Sequence, residues 1–189
     1  AQMMGLSKVM PNLKRVGLFD ESVSSAEKMA AEVTPQYPWI KITVYPLSAL
    51  EDRVRDADIV VTCTPSKKGF IKRGWLRKGS HINAIGADMP GKQEIDPDMT
   101  ASVKVFGDSR SQVALKGECQ HAVSAGLIRP DDITEIGEVL NGTKPGRMSP
   151  DEITMFDATG MALQDLIAAK IALERAEAQN IGTVVEMEQ

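Results

Sequence analysis

Asp58-Ile59-Val60-Val61-Thr62-Cys63 and His81-Ile82-Asn83-Ala84-Ile85-Gly86 decide the fold class of this chain. Both runs are short and largely aliphatic, without the strict alternation of a strand that has one wet face. Strands of that kind belong to a sheet covered on both sides, which is how parallel sheets are built. Working outward, Val16-Gly17-Leu18-Phe19-Asp20 and Lys41-Ile42-Thr43-Val44-Tyr45 are further strand signals, the second rich in β-branched residues. Between them Ser24 stands three residues ahead of Glu27, the spacing of a capping box, which predicts a helix start there. Leu47, Leu50 and Val54 recur at helical spacing and predict a helix over Leu47 to Ala57. Val103-Lys104-Val105-Phe106 is one more strand. Strands separated by helical patterns imply βαβ units. The expected fold is α/β, with a doubly wound parallel sheet.

After Asp108 the strand signals stop. Helical stretches are expected around Gln112 to Lys116, Glu118 to Ala125 and Ile133 to Leu140. The turn-rich run Asn141-Gly142-Thr143-Lys144-Pro145-Gly146 then marks an expected boundary between residues 1–145 and 146–189. From Met161 to Glu177, the residues Ala162, Leu166, Ala169, Leu173 and Ala176 recur at alternating spacings of four and three, a long helix small on one face. Such a face suits close packing on another domain or subunit; the alternative is a helix lying on its own sheet.

Composition narrows the function classes. With 189 residues, 42% hydrophobic and 25% charged, the chain has the make-up of an ordinary globular domain. Disorder, collagen-like repeats and a disulfide scaffold are excluded. Lys and Arg number 22 against 26 Asp and Glu, a net charge of -4, which argues against a nucleic-acid binder with a basic stripe. No apolar run approaches the roughly 20 residues of a membrane span, and the opening residues do not read as a signal peptide. Cys63 and Cys119 stand far apart in apolar surroundings. Both are expected to be buried, small hydrophobes in a reducing compartment, the cytoplasm.

In open α/β sheets, ligands bind beyond the carboxyl ends of the strands, so the residues that follow each strand are the candidates. Asp20 ends the first strand signal, where dinucleotide-binding folds place an acid that accepts from the ribose hydroxyls and repels a 2′-phosphate. Its other reading is a strand end that caps the next helix. A glycine fingerprint precedes such an acid by about 20 residues, and counting back from Asp20 by that distance reaches the start of the sequence. Gln2 to Met10 would then be the helix whose N-terminus faces the pyrophosphate. The strand and glycine turn ahead of it are expected to belong to a longer chain. That strand would be central, so this piece alone is expected to fold poorly. Thr62 and Thr64 offer hydroxyls at a strand end, although threonine is also an ordinary strand residue. Asn83-Ala84-Ile85-Gly86-Ala87-Asp88-Met89-Pro90-Gly91-Lys92 is a strand running into a loop whose backbone is set by Gly86, Pro90 and Gly91. Asp88, if partly desolvated, would have a raised pKa and move protons; the alternative is a turn former. Lys92 would meet a phosphate or pair with Asp88. His81 and His121 lack nucleophile partners and read as structural, the cysteines lack further zinc ligands, and Asp108-Ser109-Arg110 reads as a helix start with its cap.

Three stretches together resemble the ornithine cyclodeaminase/μ-crystallin family: Asp58 to Thr64, His81 to Asp96, and Thr154-Met155-Phe156-Asp157-Ala158-Thr159-Gly160-Met161-Ala162-Leu163-Gln164-Asp165. The resemblance runs in order over essentially the whole chain. It implies a Rossmann-like domain over residues 1–145 that lacks its first strand. It further implies that residues 146–189 pack on an N-terminal dimerisation and substrate domain of the full-length homodimer. Ala1 and Gln2 match the residues after the family's glycine turn, and Asp20 the ribose-binding acid. Thr62, Thr64, the Asn83-Ala84-Ile85-Gly86 segment and Lys92 match further NAD contacts. Asp88 matches the catalytic acid/base, and Thr159 with Gly160 the place where substrate and nicotinamide meet. Gly86-Ala87-Asp88-Met89 stands where the cyclodeaminase pattern has Gly-Gly-Asp-Cys, and Ala158 where it has Ser. The Gly-Ala-Asp form looks more like the alanine dehydrogenase branch. The implied activity is NAD-dependent deamination of an L-amino acid through an imine, of the ornithine cyclodeaminase or alanine dehydrogenase type. The alternative is a ketimine reductase or a μ-crystallin-like nucleotide-binding protein without amino-acid turnover.

Overall fold

Short β-branched runs become strands here because each can hide its side chains on both faces of a sheet while amphipathic segments cross over between them. The computed structural model describes residues 1–183 and 185. Helix α1 (Gln2–Val9) leads into strand β1 (Arg15–Leu18), helix α2 (Val23–Val33), strand β2 (Lys41–Val44), helix α3 (Leu50–Asp56) and strand β3 (Ile59–Thr62). Strand β4 (Lys67–Ile71), strand β5 (His81–Ala84), strand β6 (Gln93–Ile95), helix α4 (Pro97–Thr100) and strand β7 (Lys104–Gly107) follow. The remainder forms helices α5 (Arg110–Lys116) and α6 (Gln120–Ser124), strand β8 (Thr134–Glu135), helix α7 (Ile136–Leu140), strand β9 (Thr154–Asp157) and helix α8 (Ala162–Gln179).

Every strand pair is parallel. The principal sheet has five strands in the order β3-β5-β9-β7-β8, while β1-β2 and β4-β6 form two-stranded sheets. The chain is therefore the Rossmann-like α/β fold expected, with a long C-terminal helix. Strand signals were expected to stop after Asp108, and this is corrected by β8 and β9. Strand β9 even occupies the middle of the sheet, between β5 and β7. Its two ends are polar residues, Thr154 and Asp157, both buried, so it does not read as an apolar run. Thr154 is met by His81 and Arg147, and Asp157 Oδ2 by the Cys119 amide, while Asp157 Oδ1 has no hydrogen-bond partner among the described residues. The capping box is also corrected. Helix α2 is capped by Ser22, whose hydroxyl accepts from the Ser25 N–H at 3.4 Å, and Ser24 hydrogen-bonds the Ser22 hydroxyl instead.

Alternation along the strands gives the sheet two different faces. Ile82 and Ala84 of β5, Met155 of β9 and Val105 of β7 join Met99, Val113, Cys119 and Ile133 in the core. Burying a side chain such as Ile82 or Met155 contributes about 1.5–3 kcal/mol. The opposite face carries His81, Asn83, Phe106, Thr154 and Phe156, which line a cleft of about 490 Å³ together with Arg147. There Arg147 donates to the Thr154 hydroxyl, which in turn meets His81 Nδ1, while His81 Nε2 meets the Asn83 carbonyl. Burial lowers the His81 pKa. Both observations fit the structural role expected of this histidine. Cys119 is buried as expected, but Cys63, one residue past β3, is exposed.

Helix α8 does not lie on the sheet. None of its residues is buried, and Leu163, Leu166, Ile167, Ile171 and Leu173 are all exposed on one side of it. Among the described residues no helix is long and apolar enough to cross a membrane.

Candidate functional site

Parallel strands send all their carboxyl ends the same way, so the segments after β5 and β9, neighbours in the sheet, leave it side by side. They bound a cleft of about 350 Å³ lined by Gln2, Ile85, Asp88, Thr159, Gly160 and Gln164. Five of these were expected from the sequence as site residues, and they come from three separate parts of the chain.

Asp88 sits in this cleft with its side chain 49% exposed. Lys92 Nζ donates to its Oδ1 at 2.6 Å and to the Gly86 carbonyl at 3.2 Å. The Lys92 hydrogen bond holds the Asp88 carboxyl below its ordinary pKa. The raised pKa expected for a desolvated acid is thus overturned, because too little of the group is buried to offset the ammonium beside it. Of the two partners considered for Lys92, the structure shows Asp88.

The loop that carries Asp88 is fixed from α6. Gln120 accepts the Gly91 N–H at 2.8 Å and donates to the Met89, Lys92 and Gly117 carbonyls. His121 Nε2 donates to the Lys92 carbonyl at 2.9 Å. Gly91 has φ +80°, a conformation glycine adopts freely and most side chains avoid. The short helix expected around Glu118 to Ala125 is thus the support of the candidate site.

Four buried carboxylates, none singled out from the sequence as ligand or brace, anchor the surrounding backbone. Glu118 accepts the Glu94 and Ile95 N–H groups, and Glu94 accepts those of Thr64 and Gly86. Asp157 accepts the Cys119 N–H at 2.9 Å. Asp108 accepts the Gly160 N–H at 2.7 Å and the Thr159 hydroxyl at 3.3 Å. Burial pushes Glu118 up to about 8 and Asp157 up to about 6, against the N–H groups that favour their charged forms. The sequence offers Asp108 only as part of a helix cap; it follows β7 directly, just as Asp20 lies beyond β1, and that shared position is the signal in the sequence.

The remaining expected residues fall as follows. Asp20 is exposed and accepts the Ser22 N–H through Oδ1; burial first, and then the charges of Glu94 and Asp20, raise the Cys63 thiol pKa. Thr62 is buried, its hydroxyl without a partner among the described residues, and Thr64 is half-buried with its hydroxyl accepting the Ser66 N–H. Ala84 is fully buried and uses its carbonyl for the Ala158 N–H. Asn83 Nδ2 donates to Gln2 Oε1 at 3.4 Å. Ala1 is exposed at the N-cap of α1. Ala1, Asp20, Thr62, Thr64, Asn83, Ala84, Gly86 and Lys92 are not among the residues that line the cleft; Asn83 lines the larger one on the sheet face.

A family model for the ornithine cyclodeaminase/mu-crystallin family matches residues 1–180. An alanine dehydrogenase of Archaeoglobus fulgidus is 46% identical over 130 residues, which cover 68% of this chain and 40% of that protein. An iminosuccinate reductase of Paracoccus denitrificans is 41% identical over 144 residues, covering 75% of this chain and 45% of that protein. Among solved structures, an archaeal alanine dehydrogenase dimer with bound NAD superimposes with a TM-score of 0.90 at 38% identity, over 99% of this chain and 57% of that one. The chain thus spans less than half the length of these curated relatives.

Proposed function

Because the chain belongs to the ornithine cyclodeaminase/mu-crystallin family, we propose that it is the NAD-binding part of an enzyme that deaminates an L-amino acid through an imine. The observation that carries this reading is the cleft beyond β5 and β9, where the Asp88 carboxylate shares one cavity with Gln2, Thr159 and Gly160. The side chains present fit a dinucleotide. Asp20 is exposed, with only Oδ1 engaged by the protein among the described residues, and its Oδ2 suits a ribose hydroxyl. Gln2 brings the first turn of α1 to the cleft. Ala1, Thr62, Thr64, Asn83, Ala84, Ile85, Gly86 and Lys92 complete the proposed cofactor set, with Thr159 and Gly160 beside the substrate. Helix α8, within residues 146–189, would pack on the substrate and dimerisation part of the full-length homodimer.

Bound NAD would supply a hydride acceptor for the substrate Cα. Asp88, kept ionised by Lys92, takes the proton released when water adds to the imine carbon. It returns that proton to the nitrogen and, ionised again, takes the hydroxyl proton as the C–N bond breaks, giving ammonia and a 2-oxo acid. In a cyclodeaminase, an amine of the substrate's own side chain would add instead of water, ammonia would leave, and the reduced cofactor would supply the hydride that turns the cyclic imine into the product. Alanine with NAD⁺ and the full-length protein is expected to accumulate NADH; ornithine turned into proline without net NADH would make it a cyclodeaminase instead. Asp88→Asn is expected to abolish turnover while leaving NADH binding nearly unchanged, and retained turnover would refute the role given to Asp88. A second reading, reduction of an imine by NADH, is supported by the likeness to an iminosuccinate reductase; faster reduction of an imino acid than oxidation of any amino acid would favour it. A μ-crystallin-like nucleotide-binding protein without turnover would bind NADPH at least as well as NADH, which the Asp20 carboxylate opposes.

A further inference from the structure

Glu94 has no task in the proposed chemistry, yet it is fully buried on β6. None of the ion pairs among the described residues includes it. Its two oxygens are divided between two loops. Oε1 accepts the Thr64 N–H at 2.5 Å, and Oε2 accepts the Gly86 N–H at 3.0 Å. Thr64 lies beyond β3 and Gly86 beyond β5, and these strands are adjacent in the sheet. The two loops press together there: a Cβ on Gly86 would sit 2.4 Å from the Thr64 carbonyl oxygen and 2.6 Å from Glu94 Cδ. Glu94 is itself held through its backbone, because Glu118 accepts its N–H at 3.0 Å and that of Ile95 at 2.7 Å.

Placing a carboxylate in a protein interior without a cation is costly. Two N–H groups converging from different loops are met here by the two oxygens of one side chain, one each. A glutamine in the same place satisfies one N–H and turns its own N–H₂ toward the other. Beyond Gly86 the connection continues, since the Gly86 carbonyl accepts from Lys92 Nζ, which holds Asp88.

We infer that Glu94 is a positioning residue that fixes the loops after β3 and β5 against each other, and so sets both the dinucleotide contacts at Thr64 and Gly86 and the Lys92–Asp88 pair. The inference rests on the NAD-linked reading above. Its test uses the full-length protein and Glu94→Gln, with three measurements: amide hydrogen exchange of peptides containing Thr64 and Gly86, NADH affinity by fluorescence, and kcat with the two KM values. The variant is expected to exchange faster at both amides and to bind NADH about tenfold more weakly, the order of effect for a buried donor left without its partner. The KM for the cofactor should rise more than that for the amino acid. If Glu94→Gln does not fold, Glu118→Gln loosens Glu94 at one remove and should shift the same measurements less, in the same direction. Faster exchange with unchanged NADH affinity and kcat would make Glu94 a structural brace only and overturn the inference, as would unchanged exchange. Wild-type protein that fails to bind NADH would overturn the NAD-linked reading and this inference together; wild-type binding with an indifferent variant overturns this inference alone.

Discussion

At the scale of single residues, the pair Asp88–Lys92 is decided by four positions of sequence and one hydrogen bond. Lys92 Nζ stands 2.6 Å from Asp88 Oδ1, and that hydrogen bond, more than the partial burial that opposes it, keeps Asp88 ionised. The acidic limb of kcat/KM is therefore expected below the ordinary carboxylate pKa of about 4. Below that limb Asp88 is protonated and cannot take a proton. Lys92→Met should move the limb upward, toward the ordinary value, and a pH–rate profile of the variant checks it; a stationary limb would detach Lys92 from the titration of Asp88. The pair was readable as an option from the spacing in Gly86-Ala87-Asp88-Met89-Pro90-Gly91-Lys92. Its consequence was not, because the sign of a pKa shift depends on how much water reaches the carboxylate.

At the scale of elements, the strand ends matter more than the strands. Gly86 closes β5 against the loop beyond β3, with no room for a Cβ beside the Thr64 carbonyl and Glu94. Gly86→Ala is expected to destabilise the full-length protein by roughly 1–3 kcal/mol, the usual range for overpacking, seen as a lower urea midpoint. Gly137, inside α7, has nothing within 4 Å of an added Cβ. Gly137→Ala should stabilise by about 0.5–1 kcal/mol from helix propensity, and it serves as the contrast. Equal responses at the two glycines would show that the close approach at Gly86 does not matter. Helix α6 has a comparable importance for the loop of Asp88, since Gln120 and His121 together meet the backbone of Met89, Gly91 and Lys92.

At the scale of the whole molecule, the buried acids couple the fold to pH. Glu118 has a folded-state pKa of about 8 against an ordinary 4.5, and Asp157 about 6 against 3.8. Between each pair of values the folded state holds a proton that the unfolded state has released. The stability these two groups contribute is therefore fully present below about pH 4 and is lost as pH rises toward 8, by on the order of a few kcal/mol. Urea unfolding of the full-length protein at pH 5.5 and pH 8 should show the fall, and Glu118→Gln should flatten it; a stability that climbs over that range would contradict the burial of these groups. The sequence by itself determined the parallel α/β class, from aliphatic runs such as Asp58 to Cys63 separated by helical patterns, and drew attention to Asp88 and the loop that holds it. It also specified a long helix from Met161 onward with one face suited to packing. Tertiary structure alone decided that β9, with polar ends at Thr154 and Asp157, lies in the middle of the sheet between β5 and β7. It alone turned Glu94, Glu118, Asp108 and Asp157 inward, which hydropathy assigns to the surface. The physical reason is common to them: a buried polar group costs least where distant backbone or side-chain partners converge on it, and convergence is a property of three dimensions.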